Sequence, residues 1–299
     1  MTAATPRTVE QYLDSLRAAL KGADPALVQD ALYDAEEHLR AELAQHPGDN
    51  EGDVLGRIVS TYGAPDEVAD AYRANEVTIQ AALRTPRPRP RESALGRFFG
   101  VYADPRAYLS LLYMLLALVT GIVYFTFAVI GLSLSVGLAI LIIGVPFFLL
   151  FVGIARVVAL AEGRIVESML GTRMPRRPMY PDRETPFLQR IVVMLKDPRT
   201  WGSLVYLVAM LPLGVFYFTF AVVGIAVSLA MFVAPIVALL YHAGIVHIEG
   251  TVEAPTVLLP FIAILGVLLL TVTMHLARGI GYLHGQLAKT LLVQARGAD

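Results

Sequence analysis

Two long runs without charged residues constrain the fold of this chain more than any other feature. No Asp, Glu, Lys or Arg occurs between Arg106 and Arg156, and none occurs between Arg199 and Glu249. A helix needs roughly 20 apolar residues to cross a bilayer, so each run is long enough for two helices. A third uncharged run covers 256–277. The sequence therefore predicts an all-α protein that crosses a membrane several times.

Composition agrees with this class. Of the 299 residues, 56% are apolar and only 16% are charged, against roughly 25% charged residues in an average soluble domain. The chain has no cysteine, which excludes disulfides, thiolate zinc sites and a cysteine nucleophile.

The apolar runs divide into five predicted helices, with a tight turn at 131–133 between the first two: 107–131, 134–158, 201–223, 226–241 and 256–277. The fourth is too short for an ordinary crossing. It is read as a bent continuation of the third helix, a re-entrant piece or an interfacial helix, and the sequence leaves open whether it crosses.

Basic residues fix the expected topology. They bracket the spans at 84–106, 156–199 and 278–296, whereas the tips at 131–134 and 242–255 have no Lys or Arg. By the positive-inside rule, the basic regions face the cytoplasm and the tips face outward. We expect four full crossings in the inner membrane, with both termini cytoplasmic.

Parts of the chain recur. Three pairs of segments match: 104–106 with 197–199, 124–129 with 217–222, and 155–171 with 277–292. The first two pairs are 93 residues apart and the third pair is 122 residues apart. The sequence predicts two duplicated helical hairpins in parallel orientation, the second with an insertion. The expected organisation is a cytoplasmic helical domain at 1–80, a basic Arg/Pro linker at 81–106, a first hairpin at 107–171, a basic cytoplasmic loop at 172–196, and a second hairpin at 197–293 with an outer-loop insertion at 242–255.

The first 80 residues form an acidic head. They hold 15 acidic and 6 basic residues, a net charge of −9. Apolar residues at helical spacing predict short amphipathic helices, one of which starts at Asp24-Pro25 and another of which ends at Gly63. No apolar segment typical of a signal peptide occurs here, so we expect the head to stay in the cytoplasm.

Three segments of the head, YLDSLRAAL, DALYDAEEHLRAEL and YGAPDEVADAYR, resemble the HAAS domain. The resemblance covers about the first 75 residues. It implies a regulatory or protein-interaction module without catalytic activity.

The region 98–293 resembles the sensor domain of actinobacterial membrane histidine kinases. The residues that carry the resemblance are DPRTWGSLVYLVAMLPLGVFYFTFAVVG, LARGIGYLHGQLAKTLL and their first-copy counterparts. Kinase relatives continue into a dimerisation helix and an ATP-binding domain, whereas this sequence stops at Asp299. The resemblance therefore implies a sensor without kinase activity, whose signal leaves through the head.

Repeated aromatic residues mark a candidate seam between the copies: Tyr124, Phe125, Phe127, Tyr217, Phe218 and Phe220. They indicate either packing of one copy on the other or a groove for lipid or an apolar ligand. Gly121 and Gly214, with Pro212, indicate a close helix approach or a kink.

Two groups of arginines are candidate contact residues: Arg87, Arg89 and Arg91 in the linker, and Arg173, Arg176 and Arg177 in the loop. They are expected to contact anionic lipid or the acidic head, with a salt-sensitive contact in the latter case. Nucleic acid is not an expected partner, because the basic patch is short and lacks aromatics. Two amphipathic segments are predicted to place four residues on polar faces, which indicates either a membrane-surface helix or a contact for the acidic head: Arg164, Glu167, His284 and Lys289.

No cofactor or metal is expected. His242, His247 and Glu249 are weak metal candidates, and a solvated loop is the favoured interpretation. Motifs of serine hydrolases, zinc proteases, P-loop NTPases and dinucleotide-binding enzymes do not occur, so we expect a protein that is not an enzyme.

These observations favour a sensor or regulatory protein that passes an envelope or lipid cue through its head to an unidentified cytoplasmic or membrane partner. The alternatives are an accessory or assembly subunit of a membrane transport complex, or a homo-oligomeric membrane scaffold. In each case the lipid bilayer is itself a partner.

Overall fold

The computed structural model describes residues 6–83, 93–141, 143–176, 196–246 and 255–293. All regular structure in these ranges is helical, which confirms the all-α prediction. The α-helices are α1 (Val9–Ala19), α2 (Pro25–Gln45), α3 (Glu51–Tyr62), α4 (Pro65–Leu83), α5 (Ala94–Phe99), α6 (Pro105–Leu138), α7 (Gly144–Leu170), α8 (Pro198–His242) and α9 (Leu259–Leu292). Short 3-10 turns occupy Gly100–Ala103, Ala139–Leu141 and Thr256–Leu258.

Helices α1 to α4 form the head domain. Capping residues set their limits: the side chain of Asp24 accepts the N–H of Ala26 before α2, and Gly63, at φ 111°, ends α3. One apolar face of each helix enters a common core, whose buried members include Tyr12, Leu16, Leu39, Leu55 and Ala69. The Tyr12 hydroxyl donates to the Gly63 carbonyl oxygen at 2.9 Å, which ties α1 to the end of α3.

Four helices are long and apolar enough to cross a membrane: α6, α7, α8 and the segment Thr256–Leu292 that contains α9. The predicted multi-span architecture is confirmed by these four. At 1.5 Å per residue, the 45 residues of α8 extend about 67 Å, roughly twice the thickness of a bilayer's hydrocarbon core.

The predicted turn at 131–133 is wrong, because α6 continues to Leu138. Gly131 serves packing here: a Cβ atom at this position would lie 2.1 Å from the Phe151 ring. The Ser135 hydroxyl donates to the Gly131 carbonyl oxygen at 2.6 Å, within the helix. Gly131 therefore serves close packing between two helices at a place where its residue type suggested a turn.

The two predicted stretches at 201–223 and 226–241 are parts of one helix, α8, which has Pro212 and Pro235 inside it. Of the three interpretations of 226–241, the structure shows a continuation. Gly224 lies between the two stretches, and a Cβ atom there would lie 2.7 Å from Thr273 Cγ2. A side chain of a neighbouring helix fills the space that glycine leaves open.

The chain divides into two compact units. A head-containing unit comprises Met1–Arg84, Gly131–Tyr206 and Leu287–Asp299, and a second unit comprises Thr85–Ile130 and Leu207–Gln286.

Within the second unit, α6 and α8 touch backbone to backbone. A Cβ atom on Gly121 would lie 2.5 Å from the Met210 carbonyl oxygen, and one on Gly214 would lie 2.3 Å from the Ala117 carbonyl oxygen. The predicted close approach is confirmed. Gly214 lies 93 residues after Gly121, and Met210 lies 93 residues after Ala117. The two contacts, Gly121 with Met210 and Gly214 with Ala117, therefore correspond to each other under the offset of 93.

Ion pairs follow the same correspondence. Arg278 Nη1 lies 2.9 Å from Asp104 Oδ2 in the second unit, and Arg156 Nη2 lies 3.0 Å from Asp197 Oδ2 in the head-containing unit. The two aspartates are 93 residues apart and the two arginines 122 residues apart, as in the matched segments. The aspartate of the earlier sequence, Asp104, therefore pairs with the arginine of the later sequence, Arg278. In the same way, Asp197 of the later sequence pairs with Arg156 of the earlier one.

Candidate functional site: a buried arginine against the head domain

The site lies where the chain leaves α7. Gly171 caps this helix in the left-handed conformation, at φ 70°, and its N–H donates to the Glu167 carbonyl oxygen. Glycine takes this conformation without the steric cost that other residues meet. The backbone then leaves the helix axis, and Arg173 follows two residues later.

Arg173 is buried among carboxylates. Its Nη2 lies 2.9 Å from Asp30 Oδ2 on α2, and its Nε lies 3.3 Å from Glu76 Oε2 on α4. Nη1 lies 3.4 Å from Glu167 Oε1 on α7 and also donates to the Met174 carbonyl oxygen. All four charged side chains are less than one-tenth exposed. One guanidinium thus joins two helices of the head to a candidate membrane span.

Burial and charge act on Arg173 in opposite directions. Burial alone would lower the pKa of Arg173, but the negative charges of Asp30 and Glu76 outweigh burial and raise that pKa above its ordinary value. The guanidinium therefore stays charged. Removing one partner of a buried pair typically costs about 3–5 kcal/mol, because the other charge is left unpaired.

Arg176 strengthens the same contact. Its backbone N–H donates to Asp30 Oδ1 at 2.7 Å, so Asp30 receives hydrogen bonds on both oxygens. The Arg176 guanidinium lies 3.7 Å from Glu167 Oε1 and is 42% exposed. An exposed ion pair at this distance contributes little to stability. Arg176 therefore stabilises the contact mainly through its backbone hydrogen bond to Asp30.

Two further contacts join the head to other helix ends within the head-containing unit. Lys289 Nζ, near the end of α9, lies 2.5 Å from Asp24 Oδ2. Arg199 Nη1, at the start of α8, donates to Gln29 Oε1 at 3.3 Å. Residues 24–30 of the head therefore contact α8, α9 and the segment after α7.

The structure places some predicted contact residues and not others. Arg173 and Arg176 lie against the head as described, whereas Arg87, Arg89, Arg91 and Arg177 lie outside the described residues. Their roles stay predictions.

The weak metal candidates are also only partly described. His242 ends α8, is exposed, and its Nδ1 lies 2.7 Å from the Ala238 carbonyl oxygen. His247 and Glu249 lie outside the described residues.

The six aromatic residues of the candidate seam differ in burial. Tyr124 and Tyr217 are buried, and the remaining four are half-buried: Phe125, Phe127, Phe218 and Phe220. The burial pattern of 121–128 repeats at 214–221 residue by residue. Matching sequence is therefore accompanied by matching environment.

The interpretation as membrane-surface helices is wrong for His284 and Glu167, which are both buried. The other interpretation, a contact with the head, agrees with Glu167 beside Arg173 and with Lys289 beside Asp24. His284 is buried in the second unit, where Nε2 lies 2.6 Å from the Tyr113 hydroxyl and Nδ1 lies 3.1 Å from the Tyr217 hydroxyl. Glu167 is buried against Arg173. Helical periodicity placed both residues beside charged neighbours. Burial is stable because His284 bonds tyrosine hydroxyls of α6 and α8, and because Glu167 pairs with the Arg173 guanidinium.

Sequence reasoning missed the head's own contributions, Asp30 and Glu76. They are two of fifteen acidic residues in the head, and nothing in their spacing separates them from the others. The Arg156–Asp197 and Arg278–Asp104 pairs could have been found, because all four residues mark the ends of the matched segments.

Comparisons with known proteins agree with this architecture. A family model described as "Putative sensor" matches residues 113–292, and the HAAS model matches residues 11–71. Neither description names an enzyme family. No curated protein and no solved structure matches the chain significantly. Both sequence resemblances are confirmed, and because the sensor model spans more than half of the chain, the protein belongs to this sensor family and carries a HAAS domain at its N-terminal end.

Proposed function

We propose that this sensor-type membrane protein is a regulator, not an enzyme, that passes a cue from its membrane spans to a partner through its HAAS domain. Burial of Arg173 between the HAAS domain and α7 is the observation that carries the proposal. Any displacement of the end of α7 moves Arg173, which is only three residues beyond Leu170.

The chemistry of this contact favours two discrete states. A guanidinium surrounded by Asp30, Glu76 and Glu167 is stable when all are paired, and each charge is also stable in water. Intermediate arrangements that keep the charges buried but unpaired are costly. A docked and a released HAAS domain are therefore the two states between which a cue would shift the population.

Orientation is part of the proposal. We place the HAAS domain and both termini in the cytoplasm, on the inner membrane of a bacterium. The positive-inside distribution supports this, and so do the contacts of the HAAS domain with α8 and α9 through Arg199 and Lys289, two basic residues next to apolar spans.

Docking can be measured with two spin labels, because the chain has no native cysteine. Ser60→Cys on α3 and Ser168→Cys on α7 introduce labels at exposed positions of the head-containing unit. We expect a narrow distance distribution that broadens in Arg173→Gln. Arg164→Gln is the matched control, since Arg164 is half-exposed and bonds Glu167 from the surface. Equal distributions in both variants would contradict the proposal.

Orientation needs a separate measurement on intact cells. A membrane-impermeant thiol reagent should label Ala243→Cys, just beyond α8, from outside, and should label Ser60→Cys only after the cells are opened. Labelling of Ser60→Cys in intact cells would overturn the cytoplasmic placement.

A further inference from the structure

A pocket lies next to the docking contact, at the start of α8, and the head-containing unit alone forms it. Side chains of α2, α7, α8 and α9 line it, together with Met174 and Pro175 of the segment after α7. None of these groups takes part in the ion pairs of Arg173.

One part of the pocket is basic. Arg156 and Arg199 line it with Ser203 and a single carboxylate, Asp197, so the charged lining carries a net positive charge. Among the described residues, the bonds of Arg156 to Asp197 and Thr200 both leave from Nη2, at 3.0 Å each. Its Nη1 and Nε therefore remain as donors for an anion.

The other part of the pocket is apolar. Ala159, Leu160, Met174 and Leu292 line it, which is unsuited to a small, fully hydrated ion. Close in sequence to Arg156 and Arg199, Val157 on α7 and Trp201 on α8 are exposed. Basic donors and an apolar wall together match an amphiphile that has an anionic end.

The pocket also lies at the level where a lipid headgroup would be found. Beyond Arg199, α8 contains no further Asp, Glu, Lys or Arg, so the hydrocarbon region begins within a turn or two of this residue. Phosphate groups of a bilayer lie at this boundary, and arginine binds phosphate through paired N–H donors.

We propose that this pocket binds the phosphate of an anionic phospholipid, with Arg199, Arg156 and the Ser203 hydroxyl as donors. The acyl chains follow the apolar surface of α7 and α8. Gln29 of the HAAS domain also lines the pocket and bonds Arg199, so a bound headgroup lies next to the docked domain. Only this last link, between lipid and docking, rests on the proposed function.

Lipid retention by the purified full chain tests the site. Native mass spectrometry in detergent supplemented with phosphatidylglycerol or phosphatidylcholine counts the lipids that stay bound. We expect preferential retention of phosphatidylglycerol, about tenfold weaker in Arg199→Gln, because one charge-assisted donor pair is worth roughly one order of magnitude in affinity. Arg199→Lys keeps the charge but not the paired donors, so its retention should lie between those of the wild type and Arg199→Gln.

The chain supplies its own control. Arg106 matches Arg199 at the offset of 93 and follows a matching aspartate, but it does not line this pocket. Arg106→Gln should keep phosphatidylglycerol retention unchanged. Equal retention in Arg199→Gln and Arg106→Gln would overturn the proposal.

A competing ligand with the same phosphate chemistry is a soluble phosphate ester. Glycerol phosphate added in millimolar excess should leave retention of the lipid unchanged, and full displacement would overturn the assignment to a lipid. The spin-label distances of the docked domain, recorded on the same samples, separate the two hypotheses. Loss of lipid with docking intact contradicts only the link between lipid and docking. Lipid retention with spin-label distances that stay unchanged in Arg173→Gln contradicts only the proposed function.

Discussion

Arg173 Nη2 lies 2.9 Å from Asp30 Oδ2 although 143 residues separate the two in the chain. Both side chains are less than one-tenth exposed. Such a pair stays buried only while the two parts of the chain that carry it remain together, so its state reports directly on docking of the HAAS domain.

Removal of Arg173 should cost more than removal of any one of its carboxylate partners. Arg173→Gln leaves Asp30, Glu76 and Glu167 facing one another, whereas Asp30→Asn leaves the arginine with two carboxylates. We expect a loss of docking free energy of about 3–5 kcal/mol for Arg173→Gln and about 1–3 kcal/mol for Asp30→Asn. The docked fraction from spin-label distances measures both. An exchange of charges, Arg173→Asp with Asp30→Arg, should not restore docking, because Glu76 and Glu167 would repel the new aspartate.

Docking should resist salt better than a surface contact does. Mobile ions screen exposed charges over roughly 8–10 Å at physiological ionic strength but reach buried pairs much less. Burial of Arg173 therefore modifies the expectation of a salt-sensitive contact. From 0.1 to 0.5 M NaCl the docked fraction should change little, although the Lys289–Asp24 pair, about one-fifth exposed, weakens. Complete release by 0.5 M NaCl would contradict this prediction.

The HAAS domain should lose stability at alkaline pH through Tyr12. Burial, followed by the nearby Tyr62, raises the pKa of Tyr12 above its ordinary value of 10.0. Above pH 10 the unfolded chain releases this proton while the folded domain keeps it. Stability is thus fully present below pH 10 and falls above it, by about 1.4 kcal/mol per pH unit. A fluorophore on Ser60→Cys can follow thermal unfolding of the domain between pH 8.5 and 11.

Tyr12→Phe is the informative variant for that titration. It removes the bond to the Gly63 carbonyl oxygen, which should cost about 1 kcal/mol at neutral pH. It should also make the alkaline loss of stability less steep, while Tyr62 and Tyr72, whose pKa values burial also raises, account for the remaining loss. A pH profile as steep as that of the wild type would show that another group titrates.

Alanine at Gly121 or Gly214 should separate α6 from α8. The added Cβ would lie within 2.5 Å of a carbonyl oxygen of the opposite helix at either position, and backbone cannot move aside as a side chain does. We expect a destabilisation of about 1–3 kcal/mol in each case, seen as a lower Tm in detergent. Gly137→Ala, on the same helix as Gly121 but with no atom within 4 Å of the new Cβ, is the control and should not lower Tm.

Loss of either tyrosine hydroxyl at His284 should destabilise the second unit. Tyr113→Phe and Tyr217→Phe each remove one hydroxyl that bonds a ring nitrogen of a buried histidine, at a cost of about 1–3 kcal/mol. Tyr282→Phe, on the same helix as His284 and 64% exposed, should leave Tm unchanged. Equal Tm values for all three variants would contradict a role of these bonds in stability.

The elements that could be predicted from sequence are those that local rules specify. Asp24-Pro25 and Gly63 define helix ends through capping and backbone conformation, and long uncharged runs define spans. Helix continuity through Gly131 and Gly224 could not be predicted, because the reason for each glycine is a side chain more than 19 residues away, Phe151 or Thr273.

Of the site around Arg173, only the arginine could be predicted from sequence, and its carboxylate partners on the HAAS domain could not. Arg173 stood out as a basic residue next to the spans, but its partners depend on how four short helices pack. Asp30 is buried beside Ala26 and Ala31 of α2, a position that periodicity would assign to a core residue. A carboxylate is stable there only because a guanidinium from a distant part of the chain reaches it.

The crossed ion pairs have a consequence for how such a chain could be built. Asp104 pairs with Arg278, and Asp197 pairs with Arg156. Each aspartate of one predicted copy therefore pairs with an arginine of the other predicted copy. On the predicted division into two hairpins, one hairpin made as a separate polypeptide would have to associate with a second one to neutralise that charge. In a single chain that association is intramolecular. Formation of the two ion pairs then does not depend on the concentration of the protein.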